Sequence, residues 1–169
     1  QCRRWLGLAP AELRGFEWHY LARQSDRSSA RYAVHGQALT DLAVSADGRW
    51  LATASGDGTA AILDAATGEV RHVLRGHTAS VWSPAFAPDG RRLATVSSDG
   101  TLRQWDVESG AELGAWSGNG QGVAALAFGP GELLATCSWK MGESCVLGVV
   151  DVWNAATGEL VRQLEHGIK

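Results

Sequence analysis

An all-β chain built from repeated four-stranded units is the fold this sequence predicts, and three observations predict it. First, the 169-residue chain repeats itself at an interval of 42: Asp47 and Asp89, Asp57 and Asp99, Leu63 and Trp105, Asp64 and Asp106, and His35 and His77 all keep that spacing. Second, each copy places Asp-Gly turns between short alternating runs of strand-forming residues, a strong hairpin signal. Third, the chain holds 21 glycines and eight tryptophans, the first suited to frequent turns and the second demanding large, well-formed pockets. Repetition at this period points to a solenoid, propeller or array before any other architecture.

The elements follow in order. "LAPAELRGFEWHYLARQS" (8–25) has Pro10 near a helix start and Leu13, Phe16 and Tyr20 at helical spacing, which predicts a short N-terminal helical segment. The polar "RQSDRSSAR" (23–31) then reads as a linker, so residues 1–32 stand apart from the repeats in 33–169. The second copy shows the unit best. "SVWSPAF" (80–86) is a strand, "PDG" (88–90) a turn, "RRLATVS" (91–97) a strand, "SDG" (98–100) a turn, "TLRQW" (101–105) a strand, and "ESG" (108–110) leads into "AELGAW" (111–116). The third copy opens with "GVAALAFGPGELLATCS", where Phe128 lies 42 after Phe86, and closes with Trp153, 48 after Trp105. The difference comes from one residue lost near Gly131 and about seven gained between Ser138 and Gly148. Four antiparallel strands per ~40 residues describe a propeller blade. Copies at 34–75, 76–117 and 118–166 therefore predict an incomplete β-propeller of three four-stranded blades.

The pattern Gly76-His77, Phe86-Ala87-Pro88-Asp89-Gly90, Ser97, Asp99-Gly100-Thr101 and Trp105-Asp106 resembles a WD repeat. The resemblance covers roughly residues 34–169 and is most complete in the second copy. The first has Val34-His35 and Leu63-Asp64 at the signature pairs, and the third has Gly118-Asn119 and Trp153-Asn154. The resemblance implies a hydrogen-bonded brace inside each blade, formed by His77, Ser97, Asp99 and Trp105 in the second copy. Its partial counterparts are His35, Ser55 and Asp57 in the first copy and Trp153 in the third. It also implies a non-catalytic scaffold for protein–protein interaction.

Ser97, His77 and Asp99 are also the residue types of a nucleophilic triad, so the two readings must be weighed. A triad needs an exposed nucleophile, an oxyanion hole and a substrate pocket. Ser97 lies late in a strand with no G-x-S-x-G elbow around it. His35, Ser55 and Asp57 recreate the trio one unit earlier, and a structural role explains such repetition better than catalysis does. No catalytic residue is expected. "GDGTAA" (56–61) imitates a dinucleotide fingerprint, but a β-run follows it where a helix is required. "SGNGQG" (117–122) is likewise read as an inter-blade loop. Neither His72 with His77 nor Cys137 with Cys145 has a third ligand, so no metal and no cofactor are expected.

The one departure between copies that points to a partner is "WKMGESCVL" (139–147), read as a loop inserted between the second and third strands of the third blade. Trp139 and Met141 belong to residue types enriched at interfaces, and Lys140 adds a flexible charge. They are the candidate contacts for a protein or peptide partner. The alternative is that Trp139 and Met141 fold back as cover for the loop. Trp50, Trp82 and Trp116 are read as packing residues from their strand positions.

The formal net charge of -3 gives no basic field for nucleic acid. Three cysteines without C-x-x-C suggest neither a disulfide framework nor a zinc site. No apolar run approaches a ~20-residue membrane span, and no signal peptide is visible. "RGFEWHYLARQ" resembles a segment that precedes WD-repeat arrays in large bacterial proteins, including membrane-tethered serine/threonine kinases. That resemblance implies an alternative role as a regulatory or sensing segment of such a kinase, although no kinase motif occurs in the chain. It also leaves the compartment open: cytoplasmic by default, extracytoplasmic for the tail of a membrane-tethered kinase. Three blades do not close a ring, since propellers have four to eight. The expectation is a fragment of a longer chain, or self-association that completes the ring.

Overall fold

The computed structural model describes residues 34–117, 122–141 and 146–167, which belong to one compact unit spanning 34–169. The N-terminal segment read as helical, with its kinase-like stretch, lies outside the described residues. So do Gly118, Asn119 and the tip at 142–145.

Twelve strands run in chain order: β1 Leu39–Val44, β2 Trp50–Ser55, β3 Thr59–Asp64, β4 Val70–Arg75, β5 Val81–Phe86, β6 Arg92–Ser97, β7 Thr101–Asp106, β8 Glu112–Ser117, β9 Gly122–Phe128, β10 Leu133–Met141, β11 Val146–Asn154 and β12 Leu160–Gly167. They form three antiparallel sheets of four, each in simple sequence order. All pairings are between consecutive strands, as tight turns dictate. The three predicted blades are therefore present, with no helix among the described residues.

The Asp-Gly turns lie where the sequence places them and close by local hydrogen bonds. Gly90 N–H donates to the Ala87 carbonyl at 2.9 Å, and Asp89 Oδ1 accepts the Arg91 N–H at 2.9 Å. Gly90 has φ +68°, while among the described residues none other than glycine has positive φ. The aspartate thus serves as a side-chain acceptor that folds the turn, and glycine alone takes the left-handed position.

Paired residues on neighbouring strands share a face, so the register defines two faces per blade. One, here the leading face, carries Leu93, Thr95 and Trp105 in the second blade. The other, trailing face carries Ala94, Val96 and Leu102. The core lies between blades. Trp50, Ala52, Ile62 and Leu74 of the first blade close on Leu93 and Trp105 of the second. Ala94, Val96 and Leu102 of the second close on Val123, Leu134 and Trp153 of the third. Each junction is built mainly by the first strand of the following blade: β5 packs on β1 and β2, and β9 on β5 and β6.

Two glycine turns tighten these junctions. A Cβ on Gly110 would lie 2.7 Å from the His72 ring, and one on Gly158 would lie 1.7 Å from Trp116 Nε1. Each turn is a socket for a side chain of the preceding blade. Arg92 of the second blade also reaches Glu132 of the third with two hydrogen bonds of 2.7 and 3.1 Å.

Candidate functional site

In the second blade the β6–β7 turn holds Asp99 beneath the β4–β5 connection. Its carboxylate accepts the Thr101 N–H at 2.9 Å, the Thr101 hydroxyl at 2.6 Å and the Thr78 N–H at 2.9 Å. His77 Nδ1 lies 3.1 Å from the same carboxylate, and His77 Nε2 lies 2.8 Å from Thr95 Oγ1. Trp105 Nε1 donates to that hydroxyl at 2.9 Å. One assignment satisfies the whole chain: Trp105 N–H to Thr95, Thr95 O–H to His77 Nε2, and His77 Nδ1–H to Asp99. Burial lowers the His77 pKa, and the Asp99 charge offsets this only in part. Burial also pushes Asp99 up, but the bonds from Thr101 and Thr78 outweigh it and hold the carboxyl at about 2.

Ser97 sits elsewhere in the arrangement than the four-residue brace implied. Its hydroxyl donates to the Ala79 carbonyl at 3.1 Å and accepts the Asp99 N–H at 3.1 Å. It is fully buried, and both His77 nitrogens are engaged by other residues. Nothing here removes a proton from Ser97. The residue that joins histidine to tryptophan is Thr95, which sequence reasoning passed over as an ordinary strand former. The recurrence of Thr53, Thr95 and Thr136 at matching positions was the available signal.

The first blade varies the theme. His35 bridges Thr59 Oγ1 at 2.7 Å and Thr53 Oγ1 at 2.8 Å, and its Nδ1 stands 3.8 Å from Asp57. Thr59 is thus interposed between histidine and aspartate. Asp57 accepts the Gly36 N–H at 2.6 Å and the Thr59 hydroxyl at 2.6 Å. Burial raises its pKa, and these bonds more than offset that, holding it at about 2. Ser55 Oγ accepts the Asp57 N–H at 3.2 Å. In the third blade Trp153 Nε1 donates to Thr136 Oγ1 at 2.9 Å, while the buried Ser138 hydroxyl finds no hydrogen-bond partner among the described residues.

The stretch read as a loop at 139–147 is largely strand. β10 and β11 each reach nine residues, pairing Trp139 with Gly148, Lys140 with Leu147 and Met141 with Val146. The gained residues are shared between two lengthened strands, which satisfies their backbone groups in a ladder. β9 pairs no further than Trp139, so the last two pairs project past it. This arm rises from the same end as the turn that holds Asp99. Trp139 lies over Gly122, whose Cβ would be 2.8 Å from the indole, yet the side chain stays exposed.

Trp82, read as packing, is also exposed at this end, and its Nε1 donates to Ser98 Oγ. It occupies the β-bulge between Val81 and Ser83, which turns its side chain away from the alternating pattern. Trp50 is buried beneath the Arg49 guanidinium, and Trp116 is half-buried against Gly158. Among the described residues no cluster of His, Cys, Asp or Glu could hold a metal ion.

The family described as WD domain, G-beta repeat matches residues 27–64 and 68–106. No curated protein matches the chain. Among solved structures, "Crystal structure of RRP9 WD40 repeats" is similar with a TM-score of 0.69 and 26% identity, over 77% of this chain and 39% of that one. "Structure of U3-55K" is similar with a TM-score of 0.67 and 24% identity, over 78% of this chain and 37% of that one. The chain thus spans less than two fifths of the length of either.

Proposed function

Because this is a WD-repeat chain of the β-propeller family, we propose that it is a non-catalytic interaction scaffold whose partner-facing end carries the β10–β11 arm and Trp82. The exposed Trp139 on that arm is the observation that supports this reading most directly. Large aromatic side chains left half in water are enriched where proteins meet. Lys140 and Met141 continue the arm beyond β9 and belong to the same surface. The braces of His77, Asp99, Thr95 and Trp105, and of His35, Thr53, Thr59 and Asp57, serve as the rigid base of that end. Self-association through the end blades, completing a ring, belongs to the same reading.

A displayed random-peptide library tests the location. Peptides selected on the intact protein are expected to lose binding to Trp82→Ser and to a variant lacking residues 140–147. Equal binding to all three proteins would place the partner surface elsewhere.

A further inference from the structure

Trp82 belongs to the middle blade, which has a neighbour on either side, so its 40% exposure owes nothing to the ends of the array. The ring is held in place. The Thr40 hydroxyl of β1 donates to the Val81 carbonyl at 2.6 Å, at the start of the bulge, and Trp82 Nε1 donates to Ser98 Oγ. With its N–H occupied, the indole offers a partner only its π surface. A side chain fixed in this way loses little freedom on binding.

Carboxylates are anchored beside both attachments of this ring. Ser83, which follows Trp82, donates its hydroxyl to Asp41 Oδ2 of β1 at 2.8 Å. Asp99 follows Ser98, the partner of the indole N–H. Asp57 flanks the same β4–β5 connection from the first blade: its neighbour Gly58 lies against the His77 and Ala79 carbonyls, and the Ser80 hydroxyl donates to the Gly56 carbonyl at 3.2 Å. Among the described residues Asp41 forms no ion pair, and Asp57 and Asp99 face only His35 and His77. Burial lowers the pKa of both histidines, so neither imidazole cancels a carboxylate at neutral pH. Of the nearby cations, Arg103 is engaged by Glu112. Arg75 lies on β4, three ladder spacings of about 4.8 Å from β1, and Lys140 lies on β10. β5 packs chiefly on β1, β2 and β9, so neither cation stands on a strand that closes around Trp82.

We propose that this surface receives a basic peptide: a lysine or arginine side chain of the partner lies on the Trp82 indole, with its charge held between the Asp41 and Asp99 carboxylates. An exposed π face attracts a cation, and three carboxylates without a cationic partner attract the same charge and turn anionic partners away. The inference rests on Trp82 belonging to the partner-facing end, and it names the class of partner taken there.

The test sequences the peptides that the displayed random library yields on the full chain. Binders are expected to be enriched in lysine and arginine, and depleted of aspartate and glutamate, relative to the unselected library. The tightest is then synthesised and its association followed by stopped flow. Trp82→Ser should weaken it about tenfold, the scale of one lost cation–π contact. Asp41→Asn keeps an acceptor for Ser83 but removes the charge, so it should slow association and flatten its dependence on salt. Glu69→Gln removes a carboxylate from the exposed β3–β4 turn at the opposite end and should change neither. Unchanged far-ultraviolet circular dichroism should show that all three variants fold. Binders that need Trp82 but carry no excess of basic residues would overturn this proposal and leave the proposed function standing. Equal weakening by Asp41→Asn and Glu69→Gln would also overturn it, since overall negative charge would then account for the binding. Binders indifferent to Trp82→Ser would overturn it too, and a library that yields no binder, or binders equally indifferent to loss of residues 140–147, would remove the proposed function as well.

Discussion

Thr95 and Trp105 are tied by a 2.9 Å hydrogen bond that makes the threonine hydroxyl, rather than Ser97, the link between tryptophan and His77. The hydroxyl donates in one direction and accepts in the other, at a fully buried position of the strand. Thr95→Val keeps the shape and strands both the indole N–H and His77 Nε2. Each unsatisfied buried group costs about 1–3 kcal/mol. Urea denaturation should show Thr95→Val losing about 2–4 kcal/mol, and Ser97→Ala, whose two lost partners (the Ala79 carbonyl and the Asp99 N–H) belong to half-buried residues, losing less, about 1–2 kcal/mol. Equal losses would mean that the threonine is not the hub.

Acid should weaken the fold in two steps. Unfolded histidine takes up a proton near 6.5, whereas burial lowers the pKa of folded His77 and His35. Below pH 6.5 the unfolded state therefore binds more protons, and stability falls with pH until the folded histidines titrate. Asp57 and Asp99 add a second loss. Their folded pKa of about 2 lies below the ordinary 3.8, so the stability they supply is full above 3.8 and disappears as pH drops toward 2. Urea midpoints across this range should show both steps. His77→Gln should flatten the upper step without abolishing it, because His35 remains.

Two glycines with nearly the same backbone angle should respond differently to alanine. Gly90 has φ +68° and open space around its missing Cβ, so Gly90→Ala should cost only the conformational strain of about 1–2 kcal/mol. Gly158 has φ +74° and the Trp116 indole in its socket, so Gly158→Ala adds a steric clash with a ring of the preceding blade. It should destabilise more than Gly90→Ala in urea and should shift Trp116 fluorescence. A matching loss at both sites would show that the indole moves aside freely.

The Arg92–Glu132 contact spans the second junction but lies near water, with the glutamate side chain about half exposed. Exposed ion pairs contribute little, because water and salt screen them. Glu132→Gln should therefore change the urea midpoint little, and less still at high salt. A marked drop in the midpoint that persists at high salt would show that the pair helps hold the blades together.

How far these features were legible depended on whether local chemistry or packing decided them. Strand boundaries in the second blade were readable because Pro88-Asp89-Gly90 and Asp99-Gly100 fold by short-range hydrogen bonds. The closeness of His77 to Asp99 was implied by the resemblance of the second copy to a WD repeat. Thr95 was hidden because a threonine in a strand needs no special explanation, and only its depth within the sheet makes the hydroxyl matter. Trp82 was hidden for a different reason. Alternation assigns faces, and a bulge breaks alternation at that residue. The gain near Gly142 reads as a loop in the sequence, and the strand pairing was hidden because extra residues can either widen a turn or lengthen both strands beside it.

The order of strands within each sheet has a consequence for the history of such a chain. Among the described residues every backbone ladder closes between strands adjacent in sequence, and none links one repeat unit to the next. A duplication or loss of one whole unit therefore severs no ladder, and asks only that two side-chain faces be matched again. Units can then diverge independently of one another. What is copied as a length of gene coincides with what is hydrogen-bonded as a sheet.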